Sequence, residues 1–287
     1  MCVWMFVMCS STALAANSPD RSAPLVMGET FLLHSTLLHE ARRINVYFPP
    51  EYSAASTRAL PVLYMLDGGI GEDFLHIAGL IQVSVGNHTI RPWLLVGIEN
   101  TERRRDLTGP TESSADRKIA ARVGEAQAFR AFFRTELMPE IQLRYKTTKE
   151  RAVVGESLAG LFVMDTFRRE PDLFDTYIAI DPSLWWNSGE LLHDPKLLLG
   201  GPARSGTRLF LAWSSDAEPG IEQWACRLDS SLRGPPRKEI EFRYQSFPGE
   251  THATIYQPAA LVAFRSVLSV HNPRENDLSK GALNCSS

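Results

Sequence analysis

One serine sits where a sequence can turn a hydroxyl into a nucleophile. The run Arg151-Ala152-Val153-Val154 closes on Gly155-Glu156-Ser157-Leu158-Ala159-Gly160, and a helix-compatible segment follows at once. Strand, tight turn with serine, then helix is the layout that lifts a hydroxyl clear of a sheet edge. Such a turn strains the serine backbone, so residue 155 and residue 159 or 160 must be small to keep strand and helix from clashing. A strict pattern would carry glycine at 159; Ala159 is a departure that is still small. The next amide, that of Leu158, falls at a helix N-terminus, where a free N–H and the helix dipole suit a developing oxyanion. The chemistry this allows is attack on an ester carbonyl through an acyl-enzyme.

A serine nucleophile needs a base. His252, in Phe247-Pro248-Gly249-Glu250-Thr251-His252, follows the last strand-like run, in the order serine, acid, histidine. His34, His39 and His76 precede the serine, and His193 and His271 lie in or after helical stretches. The acid is open. Asp216, after the penultimate strand-like run, is favoured; Glu218 comes next and Asp181 third, since Asp181 before Pro182 also reads as a turn former. A serine–histidine pair without a placed acid is a further alternative. The second oxyanion donor is expected from the glycines that end Leu60–Asp67, with Gly69 favoured over Gly68. Trp185 and Trp186, just past a strand end, read either as walls of an apolar acyl pocket or as packing. Arg103, Arg104 and Arg105 read either as an attractor for an anionic substrate or as a solvated charge run.

These residues need a scaffold. Phe31–Ser35 and Ile44–Phe48 predict an N-terminal antiparallel hairpin. Leu60–Asp67, Trp93–Ile98, 151–155, Phe174–Ile180, Thr207–Trp213 and Glu239–Phe247 are strand-like runs, the most apolar of them suited to burial on both faces. Helical stretches are predicted at 72–85, 124–143, from the serine to about Arg169, and near 188–199, 218–233 and 258–269, with Pro139 kinking or restarting the second. Asn100–Arg117 reads as a polar loop. Strands alternating with helices predict an α/β fold, a mostly parallel sheet with helices on both faces. In that fold ligands bind at the carboxyl ends of strands, which is where Ser157 and His252 fall. One domain is expected over 28–270, with a loose tail over 271–287.

The chain has 287 residues, 44% hydrophobic and 22% charged, with a net charge of -3. That is an ordinary globular composition, and it speaks against nucleic acid or a polybasic membrane contact as partner. Residues 1–16 hold an apolar run from Cys2 to Cys9 and then Ala13-Leu14-Ala15, which fits signal-peptidase cleavage although a positive n-region is missing. Export to the periplasm or beyond is the expectation, without stable membrane insertion because the run is too short to span a bilayer. Cys226 and Cys285 would remain; they could pair in an oxidising compartment, but the favoured reading is that they do not, since Cys226 falls in a helical stretch and Cys285 in a polar tail, and neither has metal-ligand spacing.

Several motifs together resemble the putative esterase group of the α/β-hydrolases, which includes esterase D-like enzymes and siderophore trilactone esterases. They are His34-Ser35 with Glu40 and Arg42, Val46-Tyr47-Phe48-Pro49, Val62–Gly68, Asn100–Thr108, Gly155–Gly160, Pro182–Trp186 and Gly249-Glu250 with His252. The resemblance covers nearly the whole mature chain. It implies an α/β-hydrolase fold, serine esterase chemistry through Ser157 and His252, an acid near Asp216, no metal or cofactor, and often export. The expected substrate is a small-molecule ester, a siderophore trilactone or a short acyl ester. An acyltransferase using the same residues, or a binding protein that kept the fold, are the rival readings.

Overall fold

A computed structural model describes residues 22–49, 52, 58–199, 206–232 and 240–269. The expected signal segment, the tail beyond 270 and Cys285 lie outside the described residues. Eight strands form one sheet, in the order β1-β2-β4-β3-β5-β6-β7-β8. They are β1 (Gly28–Ser35), β2 (Glu40–Tyr47), β3 (Leu60–Met65), β4 (Leu94–Ile98), β5 (Thr147–Glu156), β6 (Thr176–Ile180), β7 (Arg208–Ser214) and β8 (Glu241–Phe247). β1, β2 and β4 pair antiparallel, which is the expected hairpin laid against the sheet; the remaining pairs, from β4 to β8, are parallel.

The apolar runs become strands because both sheet faces are covered. β3, β4 and β6 are buried at every residue. Their side chains alternate between two apolar layers: Val62 and Tyr64 pack on one side, Leu63 and Met65 on the other. The first layer is filled by α3 (Ala126–Phe132), α4 (Met138–Arg144), α5 (Leu158–Arg169) and α7 (Ile221–Leu232), through Phe129, Phe132, Phe162 and Trp224. α1 (Phe74–Gly86) and α8 (Tyr256–Val267) fill the second, through Phe74, Ile77, Ala259 and Phe264. The helix does not restart at Pro139: the backbone stays helical from α3 into α4, and a π-helical turn over Phe133–Leu137 joins the two just before the proline.

The expected loop over Asn100–Arg117 contains a short helix, α2 (Arg103–Leu107), and its charges are not all solvated. Arg42 is fully buried between Asp106, Glu40 (2.7 Å) and the Glu99 carbonyl (3.3 Å), with its guanidinium 5.1 Å from the Phe129 ring centre. Arg105 closes the cluster on Asp106 (2.6 Å) and Glu40 (2.7 Å). Removing one member of such a buried set leaves carboxylates desolvated and underpaired. Arg42→Met is therefore expected to cost about 3 kcal/mol of stability, read from urea denaturation midpoints. A loss below about 1 kcal/mol would mean that the cluster re-pairs without it.

Candidate active site

The turn between β5 and α5 is the strained one the sequence called for. Ser157 has φ 61° and ψ -122°. Its N–H donates to the Ile180 carbonyl (3.1 Å), and its own carbonyl accepts from the N–H groups of Leu161 (2.9 Å) and Ser183 (3.0 Å). The small residues have distinct jobs. A Cβ on Gly155 would lie 2.6 Å from the Ala159 backbone, so glycine at 155 is what leaves room for a methyl group at 159. A Cβ on Gly160 would lie 2.9 Å from the Ile180 carbonyl and 3.0 Å from Pro182, so this glycine lets α5 seat against the end of β6.

The Ser157 hydroxyl meets His252. Nε2 of the ring is 3.0 Å from Ser157 Oγ, and Nδ1 is 2.7 Å from Asp181 Oδ2. Asp181 is buried at the end of β6, with φ 41°. It accepts hydrogen bonds from the Ser214 N–H (3.0 Å) and lies 2.7 Å from the Ser214 hydroxyl. Burial pushes this carboxyl up, but the bonds from His252 and Ser214 outweigh it and hold it below the ordinary aspartate value. The hydrogen bond to Asp181 raises His252 above the usual imidazole value; burial opposes this, and the nearby Glu156, Asp181 and Asp216 charges add to it.

The favoured acid of the sequence reading is corrected by this geometry. Asp216 does not meet the ring: its Oδ1 accepts from the His252 backbone N–H (2.7 Å) and lies 2.7 Å from Ser214 Oγ, while its surface stays exposed. It orders the loop that carries the histidine. The ring meets Asp181, Ser157 and Glu156, and not Glu218, two residues further along. The physical reason is reach. β6 lies directly beside β5 in the sheet, so a carboxylate at its end lies closer to the serine turn than one beyond β7.

The second oxyanion expectation is corrected as well. The Gly69 N–H donates to Glu72 Oε2 (2.7 Å), and the Gly68 N–H donates to the Ile98 carbonyl (2.9 Å). Neither is an open donor in this arrangement. The Leu158 N–H, at the first position of α5, has no intrahelical acceptor and is the donor left beside the serine.

The arginines are spent on the protein. Arg103 grips Asp67 through Nε (2.7 Å) and Nη2 (2.8 Å) with a third of its side chain exposed. Arg105 is 3% exposed and locked in the buried cluster, so its expected role toward substrate is withdrawn. The two tryptophans divide. Trp186 is buried and donates its indole N–H to the Gly109 carbonyl (2.9 Å), which is packing; Trp185 is 39% exposed, two residues past Ser183, whose hydroxyl is 3.3 Å from Ser157 Oγ.

Ser183, Ser214 and Glu156 are the neighbours that sequence reading passed over. Serines at strand ends carry no signal of their own, and residue 156 is the variable position of the serine motif.

With the geometry in view, comparison with known proteins is direct. The Putative esterase family profile matches residues 35–214, more than half of the chain. The chain belongs to this esterase family. It is 32% identical to the ferri-bacillibactin esterase BesA of Bacillus subtilis over 171 residues, 54% of this chain and 58% of that protein. It is 29% identical to the siderophore triacetylfusarinine C esterase of Aspergillus fumigatus over 243 residues, 77% of this chain and 78% of that one. Among solved structures, an IroE-like serine hydrolase from Shewanella oneidensis superposes with a TM-score of 0.73 at 28% identity, covering 84% of this chain and 80% of the other. The family's α/β-hydrolase fold is the one described above. No helix among the described residues is long and apolar enough to cross a membrane.

Proposed function

We propose that the protein is a serine carboxylic-ester hydrolase acting on siderophore esters. The observation that carries this reading is the continuous chain from Ser157 Oγ through the His252 ring to Asp181, at 3.0 Å and 2.7 Å. His252 accepts the Ser157 proton at Nε2 as the oxygen attacks the ester carbonyl, and the Leu158 N–H faces the developing oxyanion. Asp181 fixes the tautomer in which Nδ1 carries hydrogen and Nε2 is free to accept. The imidazolium then gives its proton to the leaving alcohol, an acyl-enzyme remains on Ser157, and a water activated by His252 releases the acid.

The siderophore reading is supported by family membership and by the substrates in the names of the similar proteins from Bacillus and Aspergillus. Trp185, exposed beside the Ser183 end of the site, offers a flat apolar surface to an aromatic acyl group. Export is supported by Cys226, the one cysteine among the described residues, which is disulfide-bonded. Its partner lies outside the described residues.

The test is a side-by-side assay of ferric trilactone siderophores and p-nitrophenyl acyl esters of rising chain length. The expected result is a kcat/KM on a trilactone at least about tenfold above that on the best simple ester, a margin of about 1.4 kcal/mol in transition-state binding. Turnover of short acyl esters alone would remove the siderophore assignment and leave the esterase one standing.

A further inference from the structure

Glu156 is the residue immediately before the nucleophile, and nothing in the reaction so far uses it. It ends β5 with its side chain 16% exposed, and its Oε1 lies 3.5 Å from His252 Nε2, the same nitrogen that faces Ser157. The imidazole is therefore flanked by carboxylates on both sides: Asp181 on Nδ1 and Glu156 on Nε2. Among the described residues no arginine forms an ion pair with Glu156. Arg103, which acts on it across space, has two of its nitrogens committed to Asp67.

Resting on the serine-hydrolase reading above, we propose that Glu156 is a positioning residue that holds negative charge against the imidazolium created in the first step. When Ser157 O–H transfers its proton to Nε2, the serine oxygen bonds to the carbonyl carbon and the carbonyl π pair moves onto oxygen. A positive ring then stands between two carboxylates. Asp181 steers the ring and stabilises that charge from one side, and Glu156 adds stabilisation from the other. Glu156 neither takes nor gives the proton, which goes on to the leaving alcohol. The 3.5 Å separation fits this division: Nε2 points its lone pair at Ser157 at 3.0 Å, and Glu156 acts across space.

Charge on Glu156 is itself under control. Burial raises its carboxyl to about 7, against the pull of His252 and Arg103 and with the help of Asp67 and Asp181. The groups acting on His252 are Asp181, Glu156 and Asp216, and the Tyr256 hydroxyl lies within the field of Glu156. The signs follow. A negative Glu156 keeps His252 protonated to higher pH, so the base becomes competent only as pH rises past that raised value. Removing the charge lets the ring lose its proton earlier but leaves the imidazolium of the transition state less stabilised.

The experiment is the rate–pH profile of Glu156→Gln with p-nitrophenyl acetate. The acid limb of kcat/KM is expected to move to lower pH by roughly 0.5–1 unit, and the plateau of kcat to fall by about threefold to tenfold with KM unchanged. Glu156→Asp keeps the charge and is expected to keep the wild-type acid limb. A folded Glu156→Gln enzyme with wild-type limb and plateau would overturn the role. If the glutamine variant does not fold, NMR titration of the wild-type His252 ring, assigned with His252→Ala, decides instead. Two inflections are expected from a ring coupled to Glu156, and a single inflection would overturn it. That titration needs no turnover, so it separates failure of this role from failure of the serine reading, which Ser157→Ala tests alone.

Discussion

Ser157→Ala is expected to lower kcat for p-nitrophenyl ester hydrolysis by on the order of 10⁶-fold, the scale at which a serine–histidine pair works as a unit. The hydroxyl lost is the one 3.0 Å from His252 Nε2, and no other hydroxyl replaces it: Ser183 Oγ is 3.3 Å from Ser157 Oγ but has no bond to the ring. The fold should not notice. The backbone bonds of residue 157 to Ile180, Leu161 and Ser183 do not involve the side chain, and alanine meets the same backbone strain at φ 61° as serine does. The melting temperature is expected within about 2 °C of wild type. A fluorophosphonate probe should label the wild-type protein at Ser157 and leave the variant unlabelled. Retained turnover in Ser157→Ala would reject the nucleophile and the hydrolase reading with it.

Asp181→Asn is expected to lower kcat by about 10³–10⁴-fold, whereas Asp216→Asn should cost less than about tenfold. An amide at 181 turns its NH₂ toward Nδ1, which must then accept. That places the ring hydrogen on Nε2, where it can no longer take the serine proton. An asparagine at 216 keeps an oxygen for the His252 backbone N–H, so the loop stays anchored and the ring keeps its tautomer. Comparison of kcat for the two variants at a common pH decides between the carboxylates. The reverse ranking would restore Asp216 as the partner of the ring.

The contrast between these aspartates also marks what could be read from the sequence. The strands of the sheet centre were legible because burial on both faces leaves unbroken apolar text, as in Leu60–Met65 and Leu94–Ile98. That Ser157 and His252 come together was legible because each sits at a strand end in a fixed chain order. Asp181 was hidden by Pro182, since an Asp-Pro pair reads as a turn former, and it is one; the same sharp turn, with φ 41°, also carries the carboxylate that the ring meets. Arg105 was misread because its partners Glu40 and Asp106 become a buried set only after β2 and α2 meet. Gly69 was half right: the glycine loop ends β3 as expected, but its N–H is claimed by Glu72 three residues along, a side-chain bond that sequence spacing permits without requiring. Ala159 was the departure whose explanation lay four residues earlier, in the missing side chain of Gly155.

His252 hangs from the last strand of the sheet. β8 pairs in the sheet with β7 alone, and none of its residues is fully buried. The loop after it is tied back by the bonds of Ser215 to the Glu250 carbonyl and of Asp216 to the His252 N–H. An outer strand with one neighbour opens at lower free energy than the sheet centre. Ser157 and Asp181 thus stand at the ends of central strands, and His252 follows a strand at the sheet edge. Release of that edge on warming is expected to separate His252 from Ser157 before the sheet as a whole unfolds.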